Sequence, residues 1–399
     1  MRRIFALLSW ASLAVSAAAF VASPWARAAL LALQYTDPFS ISQYRLAYLR
    51  PQEYAQYAQE AIADNDVEDA RAIAELAEEN GVELPVEILE QIDRLENEWI
   101  LNNWFSFGKG FIQGSVNNGW EVAGSVASDL VVVGDIRDAS VNGYAFVTGG
   151  DFDLAVLALS GVGIITTATY VAPVPGLQAA EVGASAFKTS IKLSRTAFAR
   201  GQVLTSGLLR QVVATAGQAI DLDAARKVFS STQITAMIKM PSFSQARQVF
   251  SQFRERSPME MSPDEIRKAL DGLSPVDTKQ FAEAVKEIYR PGGLDPLMDM
   301  ISSVSDVAST LGMKAAIGVI SASDTLADVQ RFQKLAAKAG KRTTAIVRMF
   351  GKKAIRLGKL IWTVIAALMS VVGWLAWAVW LTFRTLRTAV RLARRVARA

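Results

Sequence analysis

Leu360–Phe383, LIWTVIAALMSVVGWLAWAVWLTF, runs for 24 residues without a charge between Lys359 and Arg384. At about 1.5 Å per residue, a helix of this length reaches about 36 Å, enough to cross a hydrocarbon core of about 30 Å with some tilt. Trp362 lies near one end and Trp377 and Trp380 near the other, where indole rings favour the headgroup level. The competing reading, a helix buried in a large soluble core, fits these flanks poorly. The stretch reads as a C-terminal transmembrane helix, and the fold expected around it is mainly α.

Working outward, Arg348, Lys352, Arg356 and Lys359 precede the span at helical spacing, with Ile346, Phe350, Ala354 and Leu357 on another face. Beyond it, Arg384, Arg387, Arg391, Arg394, Arg395 and Arg398 fall within an arc of about 100° at the helical period. Leu386, Val390, Ala393 and Val396 line the other side. Each flank is expected to be an amphipathic helix on an anionic bilayer surface, at about 1 kcal/mol per near-surface basic residue. Nucleic-acid binding by the Arg-rich tail is the rival, opposed by its complete apolar face and the lack of interleaved aromatics. The charge distribution points the same way. From Val329 onward there are 16 Lys or Arg and no acid, leaving 26 basic and 38 acidic residues in 1–328, a net of −12.

Composition removes whole classes of chemistry. The 399-residue chain has no Cys and no His, so disulfides, thiolate or imidazole ligands, Ser-His-Asp and Cys-His systems and HExxH zinc sites are excluded. Carboxylate, Lys, Tyr or Ser-Lys chemistry survives. At 51% hydrophobic and a mean hydropathy of +0.23, the chain is too apolar for an ordinary soluble protein and too polar to be mostly embedded.

Met1-Arg2-Arg3 and the apolar Ile4–Ala22 are followed by Ser23-Pro24-Trp25-Ala26-Arg27-Ala28, a helix breaker with an A-x-A pattern. Residues 1–34 therefore read as a signal peptide or as an uncleaved N-terminal anchor. An acidic helical hairpin unit is expected over 35–100, with helices at Pro51–Ala63, Asp66–Asn80 and Pro85–Ile100 and Asp66 as an N-cap. Between Glu53 and Glu98 there are 15 acids against two Arg, a solvated face or a docking surface for a basic protein partner. Asp64-Asn65-Asp66-Val67-Glu68 starts like a calcium loop but lacks the turn glycine and closing Glu.

A small-residue-rich hydrophobic unit is expected over 101–200. Its aromatics Trp99, Trp104, Phe105, Phe107, Phe111 and Trp120 suit a membrane interface or a packing seam. Leu154–Ala180 is uncharged and interrupted by Pro173, Pro175 and Gly176, and is expected to be a buried helix or hairpin, with a span as the alternative. Asp129, Asp135 and Asp138 beside Arg137 are the nearest thing to a polar site, Asp135 and Asp138 sharing a helix face three residues apart. Such carboxylates serve acid–base or cation chemistry, or else cap helices and pair with the arginine. Amphipathic helix is expected over 201–340, with apolar helix resuming over Asp295–Ile320, and 341–399 carries the basic helix, the span and the Arg-rich tail.

The run VVGDIRDA, the Thr-Gly-Gly-Asp turn and the apolar helix after it, over Asp129–Leu159, resemble the pre-toxin segment of bacterial polymorphic toxins. That resemblance implies a link to export rather than to catalysis. The order VVGDIRD, apolar helix, DTLADVQRFQKLAAKAGKRT and C-terminal membrane helix is similar, over most of the chain, to uncharacterised proteobacterial membrane proteins. No activity comes with that likeness.

The expectation is a bacterial inner-membrane protein with its N-terminal body periplasmic. It would act as a scaffold or interaction protein, bind anionic lipids and tolerate homo-oligomer formation, with no catalytic residue, cofactor or metal assigned. The alternatives are a membrane-permeabilising or toxin-delivery-related protein and a carboxylate-based enzyme. The orientation of the C-terminal helix stays open, because five basic residues precede the span closely and six follow it.

Overall fold

A computed structural model describes residues 2–34, 37–98, 110, 119–129, 133–168, 177–199, 206–230 and 278–396. The protein is mainly α, with α1 (Arg2–Val21), α2 (Pro24–Leu33), α3 (Pro38–Ala47), α4 (Pro51–Ala63), α5 (Val67–Glu79) and α6 (Val86–Glu98) at the N-terminal side. The centre holds α7 (Gly119–Asp129), α8 (Val133–Thr148), α9 (Leu154–Ala168), α10 (Leu177–Ala199), α11 (Gly207–Ala219) and α12 (Leu222–Phe229). Then follow α13 (Thr278–Lys286), α14 (Asp295–Leu311), α15 (Met313–Ala322), α16 (Leu326–Ala339), α17 (Thr343–Phe350) and α18 (Leu360–Val396). The expectations for the aromatics 99–111, for Pro173–Gly176 and for 231–277 lie outside the described residues.

The chain divides into two units. One joins the two ends, Met1–Tyr48 with Lys353–Ala399, and the other is Leu49–Lys352. In the first unit α1, α2 and α18 pack together, around a small core of Leu31, Ile41 and Val364 with Tyr44 and Leu357 against it. The transmembrane reading of Leu360–Phe383 stands: Leu360–Thr388 is long and apolar enough to cross a membrane. Trp362, Met369, Val372, Leu375, Val379 and Phe383 are all exposed there. Large apolar side chains presented outward along a whole helix are a lipid-facing pattern.

The Arg-rich tail is not a separate surface helix. α18 is one helix of 37 residues, about 55 Å at the helical rise, so the tail continues along the axis of the span. Nothing in LTFRTLRTAVRLARRV breaks it, since it holds neither Gly nor Pro and its Ala, Leu and Arg are good helix formers. A helix that crosses cannot also lie flat on the surface without a kink.

In the second unit α9 is the centre. Its sequence, LAVLALSGVGIITTA, is apolar all round, and a helix of that kind must be buried in protein or in lipid. Over its described residues, α8, α10, α11 and α13 pack around it. Asp153 starts it, its Oδ1 accepting from the backbone N–H of Ala155 (3.0 Å) and Val156 (3.2 Å). The apolar helix expected over Asp295–Ile320 forms as α14 and α15, with Gly312 between them.

The acidic helices α4–α5 find basic partners within their own unit. Asp66 caps α5, accepting from Asp69 N–H at 3.1 Å. Around it, Lys314 Nζ lies 2.6 Å from Asp66, 3.0 Å from Asp69 and 3.6 Å from Glu68. Arg348 pairs with Asp64 and Asp66, and Arg342 with Glu79. Where the sequence resembles the start of a calcium loop, an ammonium and a guanidinium occupy the cation position. Arg348 and Lys352, expected to face lipid, instead face carboxylates, Lys352 that of Asp324 at 3.1 Å. Lys314→Ala is expected to cost about 1.5–3 kcal/mol, the range for hydrogen bonds to charged groups. Urea denaturation at low and high salt checks it, with the difference shrinking only modestly at high salt because the site is largely buried.

A candidate functional site: a sealed ion cluster

The four residues of the expected polar site, Asp129, Asp135, Arg137 and Asp138, are brought together, and two lysines that sequence reasoning had not assigned to it complete the cluster. α7 ends in Ser128 and Asp129, α8 supplies Asp135, Arg137 and Asp138 in its first turns, and α10 supplies Lys188 and Lys192. Lys188 Nζ sits among three carboxylates, 2.9 Å from Asp129 Oδ1, 2.5 Å from Asp135 Oδ1 and 3.3 Å from Asp138 Oδ2. Lys192 Nζ is 2.6 Å from Asp138 Oδ2. Arg137 Nε donates to Asp138 Oδ1 at 2.8 Å, and its Nη1 donates to Ser128 Oγ at 3.2 Å.

Local sequence explains the geometry. Asp135 and Asp138 are i and i+3 on α8 and so share a face, and Asp135 in the first turn also meets the positive end of the helix dipole. On α10, Glu181, Ser185, Lys188, Thr189 and Lys192 recur at helical spacing and are all buried or nearly so. That stripe was the available signal for the two lysines: polar groups on one face of a helix otherwise apolar enough for a core.

Two glycines make room for the carboxylates. A Cβ on Gly163 of α9 would lie 2.0 Å from Asp135 Oδ2, and one on Gly134 would lie 1.9 Å from Asp129 Oδ1. Both contacts are far inside van der Waals distance, and Asp135 has no slack because its other oxygen holds Lys188. Gly163→Ala is therefore expected to destabilise by about 1–3 kcal/mol, the usual cost of overpacking. A thermal or urea melt against Gly217→Ala, whose Cβ would meet only Leu154 at 3.8 Å, gives the comparison.

No protein family, characterised protein or solved structure matches this chain. The chemistry of the cluster therefore rests on its own geometry.

The cluster is closed to solvent. The side chains of Lys188 and Asp129 are fully buried, and Lys192, the most open member, is 15% exposed. Asp129 Oδ2 and Asp135 Oδ2 are buried without a hydrogen-bond partner, as are the hydroxyls of Ser125, Ser185 and Thr189. Among the described residues, no group of three or more acids could hold a metal ion. The ammonium of Lys188 stands where a cation among three carboxylates would stand.

Electrostatics sorts the three carboxylates. Burial pushes Asp135 well above its ordinary 3.8, with Lys188 opposing and the charges of Asp129 and Glu181 reinforcing the rise. Burial also acts on Asp138, but Arg137, Lys192 and Lys188 outweigh it and hold that carboxyl below the usual range. Burial acts to lower Lys188, yet Asp129, Asp135 and Asp138 together raise it above 10.5. Lys192 is lowered by burial.

The consequences for stability follow by linkage. Asp138 contributes stability above its unfolded value of 3.8, and this is lost as pH falls through its lower folded value. Asp135 acts oppositely: stability declines as pH rises from 3.8 to its raised folded value, because the folded state keeps the proton longer. Lys188 contributes fully below 10.5, and its share disappears as pH rises through its higher folded value. Urea midpoints taken across pH are expected to lose the decline above 3.8 in Asp135→Asn and the acid-side loss in Asp138→Asn.

Proposed function

We propose that this chain is a bacterial inner-membrane scaffold or interaction protein without a catalytic site, its helical body on the periplasmic side. The observation that carries the reading is the contrast between the two polar and apolar features. Among the described residues, the most deeply buried set of ionisable groups is enclosed by α7, α8, α9 and α10, and the Lys314 set is paired within itself, whereas what the protein presents outward is an apolar helix and an acidic helical face. Buried ion clusters of this kind hold helices in register, and substrates cannot reach them. The exposed apolar α18, ending in Arg384, Arg387, Arg391 and Arg394, suits a bilayer with anionic lipid at its surface. The acids left on α5 and α6 suit a basic protein partner. Nucleic acid is the weaker partner for the tail, and a homo-oligomer is compatible with the anchor.

The packing of α8, α10, α11 and α13 around α9 favours this reading over the permeabilising alternative, and the burial of the cluster favours it over the carboxylate enzyme. The pre-toxin likeness and the likeness to proteobacterial membrane proteins agree with an envelope location. Flotation of the purified protein with vesicles of neutral and of anionic composition, together with dye release, tests the reading. Binding that strengthens with anionic lipid and leaves the vesicles tight supports it. Rapid dye release at low protein-to-lipid ratio would sink it.

A further inference from the structure

Lys314, Arg342, Arg348 and Lys352 each face carboxylates, whereas the cations just before α18 do not. In the unit made of Met1–Tyr48 and Lys353–Ala399 the sequence holds one acid, Asp37, and its Oδ2 accepts from Ser40 Oγ at 2.8 Å in the first turn of α3. Among the described residues, Arg45, Lys353 and Lys359 have no carboxylate at ion-pair distance.

The backbone brings these cations together. After the short 3-10 turn Gly351–Ala354 the chain runs without helix, and Gly358 (φ +53°) turns it into α18. The carbonyls of that stretch need donors, and α3 supplies them. Ser42 Oγ donates to the Ala354 carbonyl at 2.9 Å, and the Arg45 guanidinium donates to the carbonyls of Lys353 (2.8 Å), Arg356 (2.9 Å) and Leu357 (3.1 Å). Three carbonyls that reach one guanidinium fold the turn into a compact clasp, and none of them neutralises its charge. Lys353 and Lys359 leave the same turn exposed. Aromatic rings adjoin it. Tyr44 packs with Leu357 on the core of Leu31, Ile41 and Val364, and its ring centroid is 4.7 Å from that of Tyr48, which is 41% exposed. Trp362, 72% exposed, follows in the first turn of α18. Polar-tipped aromatics beside unpaired cations are the make-up of a membrane–water interface.

The lengths agree with a bilayer. From Trp362 to Trp380 a helix rises about 27 Å, close to a hydrocarbon thickness of about 30 Å. Lys359 then lies about 4.5 Å outside Trp362, within a headgroup layer about 5–7 Å deep.

We infer that the turn Lys353–Lys359, clasped by α3, is a phospholipid headgroup site, its ligand the phosphodiester of an anionic lipid bound by Lys353 and Lys359. Arg45 is the positioning residue, since its donors go to the backbone of the turn. This deepens the membrane reading above and rests on it. A zwitterionic headgroup would bring its own ammonium into a set of cations with no acid to receive it, whereas a lipid of net negative charge supplies the missing partner.

The test is native mass spectrometry of the full chain in detergent, titrated with phosphatidylglycerol or phosphatidylcholine. Lys353→Gln with Lys359→Gln is expected to raise the apparent dissociation constant for phosphatidylglycerol roughly 30-fold, about fivefold for each near-surface cation, and to leave phosphatidylcholine unchanged. Arg387→Gln with Arg391→Gln makes the same charge change on exposed residues elsewhere on α18 and is expected to shift it much less. Arg45→Gln is expected to weaken phosphatidylglycerol alone, with an unchanged thermal melt. The exposed lysine pair keeps the inference falsifiable where Arg45→Gln loosens the fold. Unchanged phosphatidylglycerol binding in the lysine variant, or an equal loss in the Arg387 and Arg391 control, overturns the inference. Carbonate-resistant membrane association of the same variants would then leave the membrane reading intact, and recovery of the wild type only in the soluble fraction overturns both.

Discussion

Lys188→Met is expected to lower the stability of the helical body by about 3–5 kcal/mol, the cost of breaking a buried ion pair from one side. The variant keeps the volume and apolar stem of lysine and removes only the ammonium, so packing loss contributes little. What remains is Asp129, Asp135 and Asp138 facing one another with Arg137 and Lys192 at their edge, in a buried site where charges are poorly screened. The carboxylates then have to take up protons, and the midpoint of unfolding should become steeply pH-dependent through the neutral range. Urea denaturation of the protein in detergent, followed by circular dichroism, measures it. A loss under 1 kcal/mol would mean that the cluster is open to water after all. The companion variant, Lys188→Met with all three Asp→Asn, is expected to recover most of the loss. The desolvation cost of the charges disappears together with their attraction, and buried ion clusters are often replaceable without penalty when every member goes.

Val372→Asp is expected to detach α18 from the bilayer. Val372 is 57% exposed, near the middle of the span, so the change strips no packing from within the protein. An Asp at mid-helix costs about 2.5–3.5 kcal/mol on insertion scales, roughly a 70- to 350-fold shift in the crossing equilibrium. The measurement is carbonate extraction of membranes combined with accessibility of a Thr388→Cys label. Val372→Leu serves as the matched control and should behave as wild type. If Val372→Asp stayed as well inserted as the control, the outward face of α18 would be covered by protein rather than lipid.

Much of the architecture was legible in the chain. The helices 51–63, 66–80 and 85–100 were readable from first-turn prolines, an N-cap Asp and apolar spacing, all local signals, and the observed helices begin and end within two residues of them. The span was readable for a similar reason, since charge-free length is a property of a single segment. Asp129, Asp135, Arg137 and Asp138 could be marked as unusual for charge in a small-residue run. Their role could not be read, because Lys188 lies 53 residues beyond Asp135 and nothing in either segment names the other. Arg348 and Lys352 illustrate the same limit. Their helical spacing suggested a lipid-facing ridge, while the carboxylates that hold them, Asp64 and Asp324, come from distant helices.

Helical class, the membrane-spanning segment, the exclusion of thiol and imidazole chemistry, and the opposition between an acidic body and an acid-free basic end were all readable from the chain. These depend on composition and on periodicities of a few residues. The tertiary structure alone reveals that α9 is enclosed by other helices, that Lys188 sits among three carboxylates, and that the two chain ends pack into one unit. Each of these is set by which faces meet across tens or hundreds of residues. There the desolvation of a charge or the covering of an apolar surface depends on the partner, and the partner is a product of folding.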